Sequence, residues 1–68
     1  MEFGLQKRIL KYSFDTLSEL LDNCSLTLRS GDNLSSKQID LLLSHLVIVQ
    51  SEVADYVVRK VDYEKENL

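Results

Sequence analysis

The sequence predicts an all-α fold, an antiparallel two-helix hairpin of the coiled-coil kind that completes its core with a partner chain or a second copy. Three observations carry this. Apolar residues recur at steps of three and four through both halves of the chain, the period of an α-helix with one buried stripe. The only cluster of turn-forming residues, Ser30-Gly31-Asp32-Asn33-Leu34, lies between the halves. There is no proline, whereas a sandwich or barrel of short strands needs many turns. The expected organisation over residues 1–68 is helix 1 at about 3–29, a turn at about 30–34 and helix 2 at about 35–64.

In helix 1 the stripe runs Phe3, Leu10, Phe14, Leu17, Leu21, Cys24, Leu28, a narrow seam suited to a neighbouring helix. Lys7 fills its one non-apolar slot, and a shorter stripe, Leu5, Ile9, Tyr12, Leu20, lies beside it. Arg29 followed by Ser30 and Gly31 predicts a left-handed C-cap with a cation in the last turn. Ser35-Ser36-Lys37-Gln38 has the spacing of a capping box. The Ser35 hydroxyl accepts from the amide three residues on, and the Gln38 side chain returns to the Ser35 amide. A turn of about five residues between two long helices makes them antiparallel.

Helix 2 carries two apolar tracks. One is Ile39, Leu42, Leu46, Val49, Val53, Tyr56; the other is Leu43, Val47, Ala54, Val57, Val61. Together they span roughly 200° of helix surface, where one neighbouring helix needs little more than about 100°. Something besides helix 1 must cover the surplus. The expected partner-binding residues are therefore Leu42, Leu43, Leu46, Val47, Val49, Val53, Ala54, Tyr56, Val57 and Val61. Which track faces helix 1 is open at this level. The β-branched runs Val47-Ile48-Val49 and Val57-Val58 favour sheets, but strict two-residue alternation is missing. From Asp62 onward the chain is charged and is expected to fray.

Composition narrows function mostly by exclusion. Eight Lys/Arg against eleven Asp/Glu give a net charge of −3, with no basic stripe of the kind that displaces counterions from phosphates; no nucleic-acid partner is expected. No window is expected to approach the roughly 18 apolar residues of a membrane span, and Met1-Glu2-Phe3-Gly4-Leu5 has no signal-peptide character; no membrane partner is expected. A single cysteine forms no intramolecular disulfide framework and suits a reducing cytoplasm. One His and one Cys do not make a tetrahedral metal site. Cys24, at a seam position, reads as a packed thiol, and His45 as a surface residue at the polar edge of helix 2. Asp15, Glu19 and Asp22 lie at helical neighbour spacing, but paired catalytic acids need a pocket that separates their pKa values; a solvated face is expected. No catalytic residue, cofactor, metal or small-molecule substrate is expected, and the chain reads as a non-enzyme.

Two resemblances bear on function. Leu28-Arg29-Ser30-Gly31-Asp32, followed by Gln38 and apolar tracks up to Val58, resembles the small type III secretion co-chaperones of the YscE/PscE kind. The resemblance implies a cytosolic hairpin that binds a tetratricopeptide-like chaperone and helps to keep a needle subunit soluble. Ser51-Glu52-Val53-Ala54-Asp55 with Val57-Val58 more loosely resembles the Ser-x-x-x-Asp core of the small helical aspartyl-phosphate phosphatases that act on response regulators. Glu52 stands where that motif has Gln. A homodimeric four-helix bundle acting as a regulator or adaptor is the remaining alternative.

Overall fold

The computed structural model describes residues 3–66 as two helices, α1 (Phe3–Arg29) and α2 (Ser36–Glu66), joined by a short turn. They fold back on each other as an antiparallel hairpin with extents of 54 × 15 × 14 Å. Among the described residues there is no strand.

The turn is built by the residues that predicted it. Gly31 has φ +84°, a conformation that an L side chain disfavours. Its N–H donates to the Leu28 carbonyl at 3.0 Å, and the Asp32 N–H donates to the Thr27 carbonyl at 3.2 Å. These two bonds make a Schellman cap and satisfy carbonyls that the helix end would leave open. The α2 start is the expected capping box. The Gln38 N–H donates to Ser35 Oγ at 3.1 Å, and the Ser35 N–H donates to Gln38 Oε1 at 2.8 Å. At its far end α2 continues through the charged tail to Glu66, with Lys60 Nζ 3.3 Å from Glu64 Oε2 one turn on. The i,i+4 spacing supports helix there, and α2 reaches Glu66 beyond the expected end near residue 64; the rest of the stretch expected to fray, 67–68, lies outside the described residues.

The seam between the helices differs from the expected one. In α1 the positions turned to α2 are Phe3, Gln6, Leu10, Ser13, Leu17, Leu20, Cys24 and Thr27, all buried or half-buried. They keep a strict three-four alternation, but every second member is displaced from the apolar series. Gln6, Ser13, Leu20 and Thr27 take the places expected of Lys7, Phe14, Leu21 and Leu28. In α2, where neither track was assigned to helix 1, the seam is Gln38, Leu42, His45, Val49, Glu52 and Tyr56, which takes Leu42, Val49 and Tyr56 from the first track and none from the second. The polar members are tolerated in this seam because they are satisfied across it, since a buried amide or hydroxyl without a partner is costly. Gln6 Nε2 donates to Glu52 Oε2 at 3.3 Å. His45 Nε2 lies 2.9 Å from the Ser13 carbonyl, which only accepts, so this ring nitrogen carries the proton. Gln38 Nε2 donates to Asn23 Oδ1 and to Thr27 Oγ1, each at 2.9 Å. No buried side-chain nitrogen or oxygen among the described residues is left without a partner. His45 is thus a cross-helix residue, not the surface residue expected.

A polar seam leaves little apolar core. Among the described residues, only Leu10 and Cys24 are buried hydrophobic residues. Fully burying such side chains contributes about 1.5–3 kcal/mol each, and a module of this size rarely draws more than about 3–5 kcal/mol from its own core. At the open end Phe3 adds an aromatic cluster, its ring centroid 5.4 Å from Tyr56 and 5.1 Å from Tyr63.

Candidate functional site: the uncovered face of the hairpin

Because the seam took the polar positions, the apolar ones were turned outward. Written as heptads with the seam at a and d, the e positions of α1 hold Phe14, Leu21 and Leu28, and those of α2 hold Ile39, Leu46 and Val53. In an antiparallel pair the e positions of both helices flank the seam on one side. These six side chains therefore form one face of the hairpin, and each is between 37% and 56% exposed. The opposite flank is mixed: Ile9, Thr16 and Asn23 from α1, with Leu41, Ile48 and Asp55 from α2. The uncovered face extends round α2 through Leu43, Gln50 and Val57 to Val47. Leu43, Leu46, Val47, Val49, Gln50 and Val53 line a shallow depression of about 480 Å³. Gln50 is its one polar side chain.

The ten expected partner-binding residues divide between seam and surface. Leu42, Val49 and Tyr56 are half-buried against α1, so neither predicted track faces helix 1 as a whole. Leu43, Leu46, Val47, Val53, Ala54, Val57 and Val61 are exposed. Periodicity within α2 missed Phe14, Leu21 and Leu28 as contributors to this face. Their even spacing, one residue beyond the seam positions 13, 20 and 27, was the available signal.

Among the described residues, the charged and reactive groups form no cluster suited to catalysis or metal binding apart from the charged depression at the open end. Asp15 Oδ2 accepts from Lys11 Nζ at 2.7 Å with both groups well exposed, a geometry worth little in water. Among the described residues no group of three or more His, Cys, Asp or Glu side chains is placed to hold a metal ion. Cys24 is a free, buried thiol, packed as its seam position predicted. Glu52, the acid within the phosphatase-like stretch, is half-buried and engaged by Gln6. A second depression of about 590 Å³ at the open end is lined by Phe3, Gly4, Lys7, Arg59, Asp62, Tyr63 and Glu66, two cations facing two acids over an aromatic floor.

The expectation that no window approaches a membrane span does not hold: α2 contains an 18-residue window of mean hydropathy 1.4, long and apolar enough by composition to cross a membrane. The cause is the same surplus of Leu, Ile and Val that makes the uncovered face. No protein-family model matches this chain, and neither curated proteins nor solved structures yield a match.

Proposed function

We propose that this protein is a non-enzymatic interaction module of the cytoplasm, whose function is to bury the uncovered apolar face against another protein chain. The supporting observation is that all six apolar e-position side chains stand outside the hairpin's own seam. Contiguous apolar surface of this kind marks interaction sites. A helical hairpin laying such a face into a hydrophobic groove uses the ordinary helix-in-groove mode of recognition. The acids Asp40, Asp55 and Asp62 on the remaining surface of α2 disfavour an anionic lipid surface and leave a protein as the fitting partner.

The residues that cap α1, Leu28 to Asp32, supply the support for a co-chaperone form of this function. There the partner is a tetratricopeptide-like chaperone, and the client held soluble through it is a secretion needle subunit. Affinity capture with the wild-type chain and with Val53→Asp as baits tests the function. The wild type is expected to retain a stoichiometric partner that Val53→Asp loses. Identical recoveries from both baits would remove the face from any interaction.

A further inference from the structure

We propose that in the isolated protein this face is covered by a second copy of the same chain, the two hairpins packing face to face and antiparallel as a four-helix bundle. The proposal rests on the interaction-module function and assigns an occupant to its surface, which an unlike partner must displace.

The first support is area. The chain exposes 5336 Å², whereas a compact monomer of 7.8 kDa shows about 4,400 Å². The hairpin therefore carries roughly 900 Å² in excess, close to the ~800 Å² that each partner contributes to a standard interface. The second support is the chemistry of the face. Its centre carries no charge, so bringing it against its own copy desolvates no ion. Its one polar group, the Gln50 amide, both donates and accepts, and is therefore compatible with a two-fold-related copy of the same surface.

Charge also selects the orientation. The same e positions continue at the open end into Lys7 and Lys60. Two hairpins with open ends together would gather four lysines. An antiparallel pair instead sends Lys7 and Lys60 toward the turn of the other copy, where Asp32 and Asp40 offset Arg29 and Lys37. The lysines of the two copies are thereby kept apart, against a turn whose charges balance.

The test is the solution mass of the full chain by light scattering over a hundredfold range of concentration, with apolar-dye fluorescence on the same samples. Three variants accompany it: Leu46→Glu on the face, Ile48→Glu on the mixed flank as the folding control, and Asp32→Lys at the turn. The expected result is a dimer for the wild type and Ile48→Glu, and a helical monomer for Leu46→Glu. Asp32→Lys is expected to weaken the dimer about three- to tenfold, since it reverses exposed pairs of modest strength. A helical wild-type monomer that binds the dye strongly overturns the second copy and leaves the interaction module standing. A wild-type monomer that binds no dye overturns both. Species heavier than a dimer overturn the two-fold pairing, and a dimer indifferent to Asp32→Lys overturns the antiparallel placement.

Discussion

The polar seam makes a prediction of unusual sign: replacing a cross-helix polar pair by leucines should stabilise the hairpin only when both partners change together. Gln6 is 4% exposed, and the Glu52 carboxylate is the acceptor for its side-chain amide. Glu52→Leu alone strands that amide, which costs about 1–3 kcal/mol. Half-burial of the new leucine returns about 1 kcal/mol, for a net loss of roughly 0–2 kcal/mol. In the double variant Gln6→Leu/Glu52→Leu no polar group is stranded. The lost hydrogen bond to a charged group contributes about 1.5–3 kcal/mol, and one fully and one half-buried leucine return about 3–4 kcal/mol. The double variant should therefore be about 1 kcal/mol more stable than wild type, a rise in Tm of about 4–8 °C for a domain this small. Its stability should exceed the sum of the two single effects by about 2 kcal/mol, the coupling that a double-mutant cycle reads for groups in contact. Thermal unfolding followed by circular dichroism, with all four proteins at one concentration so that self-association is held fixed, measures this directly. Single effects that add to within about 0.5 kcal/mol would mean that Gln6 and Glu52 do not meet, and the polar register described above would fall with them.

Three further outcomes follow from the same geometry. Gly31→Ala places a side chain at φ +84° with nothing within 4 Å of the new Cβ, so only backbone strain opposes it; a loss of about 1 kcal/mol is expected, and an unchanged melting midpoint would show that the Schellman turn is not formed. Gln38→Ala removes one half of the capping box and both bonds from α2 to Asn23 and Thr27, and should cost about 1–3 kcal/mol by chemical denaturation, well beyond a Lys37→Ala control. Cys24 lies 7% exposed in the seam, so its alkylation by iodoacetamide should be slow in the native protein and fast in denaturant, while Cys24→Ser should retain any partner binding; rapid native alkylation would place the thiol outside the seam.

The sequence by itself determined the helices, the turn and the existence of a surplus apolar face. Each of those is a local property. Three-four periodicity marks a helix whatever it packs against, Gly31 supplies the one positive φ that the Schellman cap needs, and Ser35 and Gln38 meet within a single turn. A 200° apolar arc on α2 exceeds what one neighbouring helix covers, however that helix is rotated.

Only the tertiary structure decided which stripe goes inside. Phe3, Leu10, Leu17 and Cys24 belong to both the expected and the observed seams of α1, because they are shared by two alternations that differ by one residue at every second step. Hydrophobicity favoured completing them with Phe14, Leu21 and Leu28, and left open which α2 track met them. The fold completed them with Gln6, Ser13 and Thr27 against Glu52, His45 and Gln38: Gln6 meets Glu52, Thr27 meets Gln38, and His45 meets the Ser13 main-chain carbonyl. Such complementarity belongs to two helices at a given register and is carried by neither alone, so no periodicity within one helix contains it. Its consequence is the functional surface itself: the more polar the inner seam, the more apolar the face left for another chain.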